Sequence, residues 1–208
     1  MSDTLAATAS DIGLSASAVI LFCPVDLAGH CNNRAISAAG DTKAGSFNVW
    51  GNSFPAEHLP RPGARIDAGG VPFVLVDPGP AGDNLRCAGQ FLSLPPGRYD
   101  WIHLLAAAER RTEDKVALHF ADGAVDFEAL RVSDFWAEAR SAFGDLRVFE
   151  TPVMHYPHHI QPRVSALMWA QRVPVSRRED LVGLRLPRNV AIHVFALTLQ
   201  TVSQERWA

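Results

Sequence analysis

From Val19 to Thr201 the chain alternates short β-branched and aromatic runs with clusters of Gly, Pro, Asn and Asp, and no long amphipathic helix interrupts the pattern. Asn32-Asn33, Gly40-Asp41, Gly69-Gly70, Asp77-Pro78-Gly79-Pro80-Ala81-Gly82-Asp83-Asn84, Pro95-Pro96-Gly97 and Asp122-Gly123 are the residue types that reverse a chain between strands. Turn signals at roughly 8–12-residue spacing are the mark of a sandwich. The pattern predicts an all-β fold, an antiparallel β-sandwich of jelly-roll type, with strands near 19–25, 65–76, 85–94, 99–106, 115–120, 125–132, 164–173, 181–186 and 190–201. Gly69-Gly70 marks residues 65–76 as a hairpin.

One segment sets propensity against pattern. Leu104 to Arg111 (Leu-Leu-Ala-Ala-Ala-Glu-Arg-Arg) has good helix formers. Upstream, Tyr99, Trp101, His103 and Leu105 alternate with Asp100, Ile102 and Leu104, and both sets are largely apolar, which suits a strand covered on two faces. A central strand is expected, with a helical turn near 107–111 as the alternative. Ala137 to Phe143 is read as a short helix. Residues 1–17 are small and polar, an expected loose arm, and 18–208 read as a single β-sandwich domain without repeat or linker.

Composition narrows the function classes. A length of 208 residues, 48% apolar and 20% charged, suits one substantial core. A net charge of −3 provides no basic field for phosphates, so no nucleic-acid partner is expected. No apolar stretch reaches the ~18 residues of a membrane span. Residues 1–33 hold no Lys or Arg, and the apolar run Val19–Cys23 is short for an export signal, so a cytoplasmic location is expected. Cys23, Cys31 and Cys87 are odd in number and form no C-x-x-C pair, which reads as reduced, mostly buried thiols.

Four constellations carry chemistry, each with a plainer structural reading beside it. His155, His158 and His159 are the densest imidazole group, fit for acid–base work or simply a packed polar loop; their spacing is not that of a metal site, and no metal is expected. Glu57-His58 holds a carboxylate next to an imidazole. Neighbours in an extended chain point apart, so their cooperation requires a turn, which Pro55 and Pro60 favour. Glu109-Arg110-Arg111 reads first as a solvated loop, yet at the end of a buried strand such a charge must be paired or functional. Asp134 beside Phe135-Trp136, and Trp50 with Asn48 and Asn52, combine rings with hydrogen-bonding groups as sugar sites do, although Trp is also a core residue. No G-x-S-x-G, P-loop or G-x-G-x-x-G is present, and no organic cofactor is expected.

The order Val25-Asp26-Leu27…Asn32-Asn33…Ile36-Ser37, Phe54-Pro55-Ala56-Glu57…Leu59-Pro60, Gly70-Val71-Pro72-Phe73, Asp83-Asn84…Gly89-Gln90, Tyr99-Asp100…Leu104-Leu105, Val132-Ser133-Asp134-Phe135-Trp136 and Ile192–Leu199 resembles the galactose-binding-like jelly rolls appended to bacterial glycoside hydrolases. The resemblance covers most of residues 23–201. It implies carbohydrate binding, in some members around a structural calcium ion. The leading expectation is a binding domain for a carbohydrate or similar polyhydroxylated small molecule, with Asn48, Trp50, Asn52, Arg110, Asp134 and Trp136 in the site. The alternative is a small stand-alone lyase, cyclase or hydrolase using Glu57, His58, His155 and His158. Homo-oligomerisation is left open.

Overall fold

The structure, a computed structural model, describes residues 18–136, 138 and 140–204. The expected arm at 1–17 lies outside them. In chain order the strands are β1 (Ala18–Val25), β2 (Ile36–Ser37), β3 (Phe54–Pro55), β4 (Arg65–Ala68), β5 (Val71–Val74), β6 (Leu85–Arg86), β7 (Phe91–Gly97), β8 (Trp101–Ala108), β9 (Thr112–Phe120), β10 (Val125–Val132), β11 (Leu146–Glu150), β12 (Val153–Tyr156), β13 (His159–Pro162), β14 (Leu167–Pro174), β15 (Leu181–Arg185) and β16 (Ile192–Gln204). The fold is an antiparallel β-sandwich. A six-stranded sheet in the order β1-β16-β8-β14-β11, with β6 also on β16, faces a four-stranded sheet in the order β10-β9-β15-β7.

The centre of the six-stranded sheet is buried on both faces, and β8 shows why. Ile102, Leu104, Ala106 and Ala108 enter the core between the two large sheets, while Leu105 and Ala107 enter a second core on the opposite face. β16 divides in the same way, with Val194, Leu197 and Leu199 on one side and Phe195 and Ala196 on the other. The second core is roofed by the β4–β5 and β12–β13 hairpins, the parallel β2–β3 pair and the loops around them. Phe47, Phe54, Phe73 and Met154 fill it. Each such side chain taken fully out of water contributes about 1.5–3 kcal/mol.

Several boundaries depart from the expected ones. The single strand expected over 85–94 is two, because the chain changes sheets there: β6 pairs with β16, and β7 pairs with β15. Gly89, at φ +85°, makes the break. The helix expected over 137–143 is absent from its described residues. Ser141 Oγ instead donates to Asp145 at 2.7 Å and Ala142 N–H to Ser133 Oγ at 2.7 Å, side-chain bonds that compete with helical ones. β8 runs on to Ala108 and then bends, so no helical turn forms at 107–111. β11 forms where no strand is expected, and β12 and β13 flank the turn in the segment expected to be a histidine loop. Cys31 and Cys87 are buried free thiols, and Cys23 is free and exposed.

His193 on β16 ties the inner sheet to the second core. Its ring lies 4.4 Å from that of Phe47, and its Nδ1 is 2.9 Å from Asn84 Oδ1. Asn84 Nδ2 donates to Asn33 and Asp83, so its oxygen is the acceptor and His193 Nδ1 carries the proton. Burial, helped by the Arg86 charge, pushes the imidazole down to about 3. The unfolded chain takes up this proton near pH 6.5, well before the folded one. Stability is therefore unaffected by His193 above that pH and falls as pH drops below it, by roughly 1 kcal/mol per unit. Urea unfolding at pH 7, 6 and 5 checks this: His193→Gln, which keeps the donor to Asn84, is expected to lose less stability over that interval than the native chain.

Candidate functional site

The loop from Phe47 to Ser53 is a tight turn anchored at both ends. Phe47, 1% exposed, packs edge-on against Phe54 at 5.3 Å and tilted against Phe135 at 4.9 Å. Phe47 N–H donates to Asn52 O at 2.6 Å and Gly51 N–H to Asn48 O at 2.9 Å, which closes the turn. Gly51 has φ +68°, and a Cβ there would lie 2.8 Å from Pro157 Cγ, so only glycine fits. Asn48 Oδ1 accepts from both Trp50 N–H and Asn52 N–H at 3.1 Å. These two bonds orient the Asn48 amide, so its Oδ1 is the acceptor and its Nδ2 the donor. That Nδ2 and Asn52 Oδ1 are buried without a hydrogen-bond partner. A buried orphan of this kind costs about 1–3 kcal/mol.

The opposite wall comes from the end of β8 and the segment after β10. Phe135 N–H donates to Ala108 O at 2.9 Å, and Leu167 N–H donates to Phe135 O at 2.6 Å, laying residues 134–136 beside the strand end. Trp169 Nε1–H holds Asp134 O at 2.9 Å, and buried Asp145 clamps Ser133 through its N–H at 2.8 Å and its hydroxyl at 2.7 Å. Asp134 Oδ1 accepts from Trp136 N–H at 3.1 Å. Burial raises the Asp134 carboxyl above its ordinary value, against the pull of the Arg110 charge. Glu109 is raised by burial as well, with Arg86 Nη2 at 3.4 Å opposing.

Between these walls lies a cavity of about 400 Å³ whose lining includes Asn48, Trp50, Asn52, Arg110, Asp134 and Trp136. The six ligand-binding candidates thus come together in one place, although 86 residues of chain separate Asn48 from Asp134. Glu109, Phe135 and Tyr156 complete the lining. Their signals were weak: Glu109 was marked only as a charge at the end of a buried strand, and nothing adjacent in sequence brings Tyr156 to Trp50. Trp50 is 60% exposed at the rim.

The four acid–base candidates separate. Residues 56–58 form a 3-10 turn, and Glu57 faces His155 rather than His58, with Oε2 4.0 Å from Nε2. Glu57 Oε1 accepts from Ala39 N–H at 2.6 Å, the main cause of its lowered pKa. His155 is 1% exposed, and burial lowers its pKa while Glu57 opposes. Its Nδ1 is 2.8 Å from Ser37 Oγ, which is 2.7 Å from Ser53 Oγ. With the proton on Nε2, both hydroxyls are satisfied in one direction, from Ser53 to Ser37 to His155. The chain of bonds is buried; it pins Ser53, next to Asn52, to the strand that carries Tyr156. His58 and His158 are exposed, and His159, also exposed, stacks on Tyr156 at 4.9 Å. Among the described residues no cluster of three or more His, Cys, Asp or Glu is arranged to hold a metal ion, and no helix is long and apolar enough to cross a membrane.

Asn48→Ala removes the acceptor for two backbone amides, and is expected to lower stability by about 1–3 kcal/mol in denaturant unfolding. An unchanged midpoint would mean that the turn holds without this side chain.

No curated protein matches the chain. Over residues 21–203 it matches the AziU2-like beta-sandwich domain, whose architecture is the one found here, and the chain belongs to that family.

Proposed function

We propose that the protein binds a polyhydroxylated small molecule, a carbohydrate or a close analogue, in the cavity between the Asn48–Asn52 turn and the Asp134–Trp136 segment. The observation that carries this reading is the convergence, in one cavity, of three aromatic side chains, Trp50, Trp136 and Tyr156, with the amides Asn48 and Asn52 and the charged groups Glu109, Arg110 and Asp134. Trp50, Trp136 and Tyr156 supply ring faces for C–H surfaces, and Asp134, Glu109 and Arg110 supply further partners for hydroxyls. A volume of about 400 Å³ is of the size that admits a small ligand. The resemblance to galactose-binding-like modules favours the same ligand class.

A second reading is supported by the two carboxylates, Glu109 and Asp134, which burial holds toward protonation in the same cavity. Carboxyls whose proton affinity is raised by burial are the kind that serve in proton transfer. In this reading the reaction site is this cavity, and Glu57 with His155 supports its wall.

Titration of intrinsic tryptophan fluorescence with a panel of monosaccharides tests the first reading. Saturable change is expected for at least one, and Trp50→Ala, at an exposed position, is expected to weaken it about tenfold, the equivalent of ~1.4 kcal/mol. The absence of saturation across the panel would sink it. For the second reading, Glu109→Gln is expected to lower turnover of a converted substrate by roughly 10² or more with the bound state retained.

A further inference from the structure

We propose that the ligand of this cavity carries a protonated amine beside its hydroxyl groups, so that an amino sugar or a similar hydroxylated amine is the preferred class. The inference rests on the binding reading above and adds the charge of the ligand.

It follows from the balance of charge and hydrogen bonds in the lining. Two carboxylates, Glu109 and Asp134, line the cavity with one guanidinium, the exposed Arg110, while Arg86, outside the lining, reaches Glu109 at 3.4 Å. No ion pair within 4.0 Å joins Arg110 to either carboxylate among the described residues. A carboxylate has about four acceptor positions. Asp134 spends some on the backbone N–H groups of Trp136 and Phe135, and Glu109 receives a single long bond of 3.4 Å from Arg86. Most of their acceptor capacity is therefore unspent, and an ammonium with three donors answers it. The side chain of Glu109 is only 15% exposed, so water replaces such a donor poorly.

The rings point the same way. Trp50, Trp136 and Tyr156 line the space next to these carboxylates, and aromatic faces attract a cation. Phe135 meets Trp136 edge to face at 5.8 Å, which fixes the Trp136 ring. A carboxylate-bearing ligand would find one lining guanidinium, Arg110, against two like charges.

The test uses the full chain and three probes of one ring geometry: galactosamine, galactose and galacturonate, titrated by tryptophan fluorescence and by calorimetry at neutral pH. Galactosamine is expected to bind about tenfold or more tightly than galactose, the scale of a charge-assisted hydrogen bond, and galacturonate weakest. In Asp134→Asn, and separately in Glu109→Gln, the ratio of amine to neutral affinity is expected to fall toward one, each variant checked for native circular dichroism. Two separate charge removals keep the test usable if one variant fails to fold. Galactose binding as tightly as galactosamine, or a preference for galacturonate, would overturn the amine while leaving the polyhydroxylated ligand standing. Binding of none of the three overturns the amine inference and counts against the binding reading as well.

Discussion

Burial of the centre of the six-stranded sheet on both faces is the constraint from which the other features follow. β8 and β16 have no solvent side, so they require apolar residues in both parities and a cover on each face. The four-stranded sheet provides one cover. The other is assembled from short pieces, two hairpins, a two-residue parallel pair and loops, whose buried rings of Phe47, Phe54 and Phe73 do the work that a full sheet does opposite. A roof made of loops must satisfy its own backbone groups. Hence the density of side-chain-to-backbone bonds from Asn33, Asn48, Asp83 and Asn84.

The cavity lies where that roof meets the end of the central sheet. β8 stays apolar through Ala108 and then turns polar at once with Glu109 and Arg110, so charged groups lie against a buried edge. Their position gives them raised proton affinity in Glu109, as in Asp134 across the same space. The roof contributes Asn48 and Asn52, whose backbone bonds hold the turn while one amide atom of each is left unpaired. Both walls are tied to the cores by Phe47, Phe135 and Trp169, which makes the cavity a preformed shape.

Much of the site was legible in local sequence, because the chemistry is carried by short segments. A tryptophan flanked by asparagines in a turn, and an aspartate followed by two rings, are recognisable without knowing where they go. Glu109 was half legible, as a charge at the end of a strand apolar on both faces. The pairing of Glu57 was legible only as membership of an acid–base set with His58, His155 and His158. Its neighbour in sequence is His58, but the 3-10 turn carries the two apart and brings His155, 98 residues later, to within 4.0 Å of the carboxylate. Sequence adjacency suggested a pair where tertiary packing made a different one.

What the sequence determined by itself was the alternation of strand and turn, the two-faced character of residues 99–108 and the hairpin at Gly69-Gly70. These depend on local backbone preference and on side-chain parity, which a short window contains. The break between β6 and β7, the strands from 146 to 162 and the meeting of Asn48, Asp134 and Tyr156 around one cavity were decided by the tertiary structure. Each depends on which sheet a segment joins. That choice is made by the competition of distant apolar faces for burial, and residues remote in sequence enter it with equal weight.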